Sequence, residues 1–139
     1  MSLRRVQQQV RSILEANSLP WTDSADGAIY LRFASASVAV DFAKWGEQAL
    51  IEISSHVLTN VEGGTKRILL AINELNKASN FGRWIYYIET RTISVEYDLL
   101  GDHLQENELM TALAALARLA DRHDDLLKKE FGGTRAFED

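Results

Sequence analysis

Few side chains in this sequence are spaced for chemistry. The histidines are His56, His103 and His123, and no His-x-His or His-x-x-x-His pair sets two imidazoles toward one metal ion. Asp98, Asp102 and His103 come closest to a reactive set, since two carboxylates and an imidazole at the mouth of one loop could hold a metal or exchange a proton. Glu96 and Asp98 lie two apart on an extended segment and so project from one face, as paired general acid–base carboxylates do. Solubility and pairing with Arg83 are the plainer roles for them. Ser35, Ser37, Ser54, Ser55 and Ser79 all lie outside any Gly-x-Ser-x-Gly elbow, so nucleophilic catalysis has no support. Gly64-Thr65-Lys66 lacks the first glycine of a phosphate loop. With no cysteine, disulfides, thiol nucleophiles and thiolate zinc sites are excluded. Asn73 and Asn76 share a helical face beside an apolar stripe, where their amides suit structural hydrogen bonding, the capping of a strand end or the binding of a peptide backbone. No cofactor or metal is expected.

The chain that must position these groups has 139 residues, 46% of them hydrophobic, which is the size of one domain with an ordinary core. One proline and eight glycines leave no room for a long disordered linker. The formal net charge of −5 argues against nucleic acid as the main partner, because affinity for phosphates rests on clustered Lys and Arg. Arg4, Arg5 and Arg11 form a thin basic group that reads as a solvated helix face. The N-terminus MSLRRVQQQV has no apolar core of a signal peptide, and no run approaches the roughly 20 apolar residues of a membrane span. A soluble cytoplasmic protein is therefore expected, with no membrane contact.

Hydrophobic periodicity places the elements. Leu3, Val6, Val10, Ile13 and Leu14 recur at three- and four-residue steps, which predicts a helix from about Ser2 to Ala16. Trp21, after Pro20, is expected to plug the core edge, and the TDSADG segment reads as a turn. From Ile29 the period changes to two. Ile29, Leu31 and Phe33 form one side of a strand. Val38, Val40 and Phe42 form one side of the next, and Ile51, Ile53 and Val57 one side of a third, with Leu50 and Leu58 facing the other way. Three strands joined by short turns, one of them at Trp45-Gly46-Glu47, predict an antiparallel meander. Thr65 is the expected N-cap of a helix running to about Lys77 on Ile68, Leu69, Ile72 and Leu75.

Beyond Phe81-Gly82 the chain reads as a hairpin. A two-residue turn at Thr90-Arg91 would pair Ile88 with Ile93, Tyr86 with Val95 and Trp84 with Tyr97 on the core side, and set Arg83 opposite Asp98. The other side would then carry Ile85 beside Glu96 and Tyr87 beside Ser94, more apolar than a solvated sheet requires. Such a strand needs cover on both sides. The chain's own helices supply one cover, and the other is a subunit, a bound peptide or the flanking chain, of which a subunit or peptide is the expectation. A last helix carries Leu109, Leu113, Leu116, Ala120, His123 and Leu127 on one stripe, which predicts a partly buried, hydrogen-bonded His123. The tail TRAFED has only Phe137 to dock it. The fold class is thus α+β: helix, three-stranded antiparallel meander, helix, β-hairpin and long C-terminal helix.

That order, together with LLAINELNKASNFGRWIYYIE, VEYDLL and the closing FGGTRAFED, resembles the YbjN-like family, related to the class I chaperones of type III secretion, and in particular its actinobacterial branch. The resemblance covers the chain from about Ile29 and is most specific at Asn73-x-x-Asn76 and Gly82-Arg83-Trp84. It implies a curved antiparallel sheet backed by helices, usually a homodimer, that binds peptides or partner proteins without turnover, and it brings no catalytic residues to carry over. The leading reading is a non-enzymatic peptide- or protein-binding module, chaperone-like or regulatory, acting as a homodimer on an unidentified client. Its interface residues are Ile85 and Tyr87, with Trp45 and Leu50 as additions. The alternative is a small metal-dependent enzyme or regulator using His103, Asp98 and Asp102.

Overall fold

The computed structural model describes residues 2–138. Helix α1 (Leu3–Ala16) is followed by strands β1 (Thr22–Asp23), β2 (Ile29–Phe33), β3 (Ala36–Trp45) and β4 (Gln48–Leu58), then α2 (Thr65–Ala78), β5 (Arg83–Tyr87), β6 (Thr92–Leu100) and α3 (Glu106–Phe131). The strands form one antiparallel sheet in the order β1-β2-β3-β4-β6-β5. The hairpin therefore joins the meander through β6 beside β4, and β5 becomes an edge. The expected α+β architecture is the one observed, and TDSADG adds a short strand, β1, where a turn was expected.

All three helices pack on one face. Val6, Val10, Ile13 and Leu14 of α1, Ile68 and Ile72 of α2, and Leu109, Leu113, Leu116 and Leu127 of α3 form one buried cluster with Ile29, Leu31, Val38, Val40, Ile51, Ile53, Trp84, Tyr86, Ile93 and Val95. These strand residues lie at the inward phase of their period of two, so the alternating pattern assigns the face up to the end of β4, where Val57 and Leu58 are both buried. Gln105 and Glu108 close a capping box at the start of α3. On α2 the N-cap is Gly64, not Thr65, which is the first helical residue, and no side chain caps that end.

Three local geometries depart from the sequence reading. The hairpin turn spans Ile88 to Arg91, with Tyr87 opposite Thr92 as the closing pair and Arg91 in the left-handed region. Trp84 therefore faces Val95, Tyr86 faces Ile93, Ile85 faces Ser94 and Arg83 faces Glu96. Ile88 lies in the turn, half exposed, rather than on the core face. The slip moves each partner by two residues, so the faces survive although the pairs do not. In β4 the register shifts between His56 and Leu58. This bulge turns Leu58 onto the core side opposite Ile93, where it is fully buried, instead of outward. The tail docks: Thr134 exchanges backbone hydrogen bonds of 2.9 and 2.8 Å with Thr59, and the Phe137 ring lies 3.8 Å from the Arg32 guanidinium. Gly133 permits this contact, because its φ is +88° and a Cβ there would come within 2.6 Å of the Thr59 carbonyl oxygen.

At the end of β6 the chain passes so close to α1 that a Cβ on Gly101 would lie 2.7 Å from Cγ1 of Val6. Gly101→Ala is expected to destabilise the fold by about 1–3 kcal/mol through overpacking. Adding Val6→Ala should recover part of that loss in urea denaturation, which an independent pair of sites would not show.

Candidate peptide-docking face

On the side opposite α1, α2 and α3, no helix covers the sheet, but the docked tail reaches this face: Phe137 lies on Arg32, Ala136 helps line a hollow with Tyr30, Ser37, Asp41, Ser54 and His56, and Thr92 and Ser94 are buried. The outward residues of the sheet are Tyr30 and Arg32 on β2, Ser37, Ala39, Asp41, Ala43 and Trp45 on β3, Leu50, Glu52, Ser54 and His56 on β4, Thr92, Ser94, Glu96, Asp98 and Leu100 on β6, and Arg83, Ile85 and Tyr87 on β5. All four residues singled out from the sequence lie on this face, as two groups rather than one. Leu50 stands directly opposite Leu100, and Trp45, 64% exposed, lies one strand over at the same end. Ile85 and Tyr87 lie on the edge strand toward the other end. Ile85 is half-buried and Tyr87 exposed.

Polar contacts fix the Tyr87 end. The Tyr87 hydroxyl donates to Oε2 of Glu96 at 2.5 Å, and the Ser94 hydroxyl lies 3.2 Å from the same oxygen. Arg83 reaches Glu96 at 3.6 Å and Asp98 at 3.0 Å. Although Arg83 stands opposite Glu96 in the register, its long side chain still pairs with the diagonal Asp98. The hydrogen bond to Glu96 and then burial push the Tyr87 phenol up to about 12, because both disfavour a phenolate beside a carboxylate.

The edge itself is partly closed by a feature anticipated only in kind. The Asn76 side chain accepts from the Trp84 N–H at 2.7 Å and donates to the Trp84 carbonyl at 3.0 Å. A primary amide thus stands in for the peptide group of a missing neighbouring strand. Asn73 remains exposed on the helix surface. Since Trp84 bonds outward, the alternation of an antiparallel ladder turns the Tyr86 N–H and C=O outward as well. Among the described residues no loop or side chain meets them.

On the helical side a cleft of about 410 Å³ lies between α2 and α3, lined by Ala71, Leu75, Trp84, Leu119, His123 and Leu126. Sequence reasoning missed it. Leu126 was off the predicted stripe and is 68% exposed here, while Leu69 and Leu70 of α2 are also exposed. Leu69, placed on the inner stripe from the sequence, faces outward instead, and Leu70, off that stripe, was the available signal. His123 meets the Trp84 ring edge-on at 5.5 Å in place of the expected hydrogen bond. Burial, and then Arg122, push its imidazole below the usual range.

The alternative set does come together, since Asp98, Asp102 and His103 line one shallow depression at the end of β6, but its carboxylates are already engaged. Asp98 pairs with Arg83, Asp102 accepts the Ala49 N–H at 3.0 Å, and His103 is exposed in the loop. Among the described residues no three His, Asp or Glu side chains gather closely enough to hold a metal ion. No described helix is long and apolar enough to cross a membrane.

The family described as "T3SS (YopN, CesT) and YbjN peptide-binding chaperone 1" matches residues 3–139, and the chain belongs to it. Among solved structures, the ExsC–ExsE complex is similar at 18% identity, covering 90% of this chain and 95% of the other, with a TM-score of 0.65. The HopA1–SchA chaperone–effector complex matches at 8% identity over 90% and 98%, with a TM-score of 0.64. YbjN, described as a putative transcription regulator from E. coli, matches at 8% over 90% and 93%, with a TM-score of 0.66. These likenesses establish the fold. No curated protein matches the sequence.

Because the folded phenol titrates near 12 and an unfolded one near 10, the Tyr87–Glu96 contribution to stability is complete below about pH 10 and is lost as pH rises toward 12. Tyr87→Phe should delete the highest-pH phenolate step from an ultraviolet titration, and Glu96→Gln should move that step down. Asn76→Ala should cost about 1–3 kcal/mol in chemical denaturation, since it strips both outward groups of Trp84.

Proposed function

We propose that the protein is a non-enzymatic, chaperone-like module that binds a segment of a partner protein on the open sheet face and works as a cytoplasmic homodimer. The observation that carries this reading is the edge strand β5. Ile85 and Tyr87 project from it on a face that no helix covers, and Tyr86 offers an unpaired backbone donor and acceptor beside them. An extended client can pair with that edge while its side chains rest on Ile85 and Tyr87. Trp45 and Leu50 provide a second apolar contact at the far end. The family's peptide-binding members and the two neighbours solved as protein complexes support the same reading. Self-association would use the opposite side, where Leu69, Leu70 and Leu126 are exposed beside the cleft between α2 and α3.

The test is the double variant Ile85→Ser/Tyr87→Ala, examined by co-purification from the native host and by light scattering. Client capture should be lost while the solution mass stays that of a dimer. Undiminished capture would reject these residues as the docking site, and a strictly monomeric wild type would reject the homodimer.

A further inference from the structure

The open face holds a charge arrangement that its own fold leaves unbalanced. Asp41 on β3 stands directly opposite Glu52 on β4, and Glu52 stands directly opposite Asp98 on β6. Strands lie about 4.8 Å apart, so three carboxylates form a row across three strands, and like charges placed opposite each other destabilise a sheet. Glu96 adds a fourth in the next row. Arg83 reaches only the end of the group, at Asp98 and Glu96. The other cation of the face, Arg32, lies on β2 against Phe137. Among the described residues neither Asp41 nor Glu52 has a salt bridge. Burial, and then Asp26, push the Asp41 carboxyl up, with His56 opposing them.

The next row, Ala39, Ser54, Glu96 and Arg83, is polar, and apolar residues flank these two rows at both ends. Trp45, Leu50 and Leu100 lie before the acidic row, and Ile85 and Tyr87 lie beyond it. Leu50 and His56, whose row continues through Ser94 to Ile85, are six residues apart on β4, or about 20 Å at the rise of a strand. Face and charge together define a pattern: apolar, acidic, apolar.

We propose that this face docks a lysine- or arginine-bearing segment of a partner protein, basic at its centre and apolar at both ends. The inference rests on the peptide-binding reading above and specifies its ligand. A second copy of this chain does not fit the face, because it would set four carboxylates against four more, and a phosphate backbone is repelled for the same reason. A cationic segment removes the repulsion within the row and adds attraction where Asp41 and Glu52 lack a cation.

The experiment measures fluorescence anisotropy of three labelled peptides that share leucine-rich ends and differ only in their central residues, which are lysine, glutamine or glutamate. The lysine peptide should bind about tenfold or more tighter than the glutamine peptide, and the advantage should shrink between about 50 and about 500 mM salt. The glutamate peptide should bind most weakly. Asp41→Asn/Glu52→Gln should bring the lysine and glutamine peptides to equal affinity, and circular dichroism should show the variant folded. Equal affinity for the lysine and glutamine peptides, or an advantage that survives the double variant, overturns the inference. If that equal binding is lost in Ile85→Ser/Tyr87→Ala, the peptide-binding reading stands without the charge rule. Absence of binding by all three also overturns the inference, and the wider reading is then decided by capture from the native host.

Discussion

Three helices cover one side of a six-stranded sheet, and almost everything else in the molecule follows from that asymmetry. A strand residue has only two directions in which to point. The inward set, from Ile29 and Leu31 across to Trp84, Ile93 and Val95, is buried against α1, α2 and α3 and supplies the main hydrophobic stabilisation. The outward set must then be compatible with water. It largely is: Ser37, Ser54, Glu52, Asp41 and Arg32 lie there. Ile85, Tyr87, Leu50, Leu100 and Trp45 are the departures from that rule.

The strand order makes those departures useful. Because β6 inserts beside β4, β5 is left as an edge, and an exposed edge invites association. The chain limits this with one side chain. Asn76 saturates the outward peptide groups of Trp84, so the edge is closed where the core is deepest and open at Tyr86, next to the two apolar residues of the outer face. Edge, side-chain surface and the Glu96 network thus meet in a few residues of one strand.

Electrostatics then distinguishes the two sides of the molecule. The open face concentrates carboxylates in the central rows of the sheet, whereas the helical side exposes leucines around a cleft. On the proposed reading, a client and a second copy would not compete for one surface. The acidic excess, which as composition argued only against nucleic acid, becomes specific once Asp41, Glu52 and Asp98 are seen to lie in register.

What the sequence determined by itself is which way each residue faces and in what order the elements come. Periods of two and near 3.6 are local properties, so Ile85 and Tyr87 separate from Trp84 and Tyr86 without knowledge of any partner strand. The strings around Asn73, Asn76 and Gly82-Arg83-Trp84 likewise sufficed to place the family. Register was not legible, because it depends on how the Ile88–Arg91 turn and the His56–Leu58 bulge spend their residues, and neither carries a strong turn or bulge signature. Only the tertiary structure decided which strands are neighbours. It brought Asp41 and Asp98, far apart in the chain, to either side of Glu52, carried Asn76 to the edge at Trp84, and set Leu126 beside Leu75 across a cleft. Such contacts arise from packing helices and strands distant in sequence, and no local pattern encodes them.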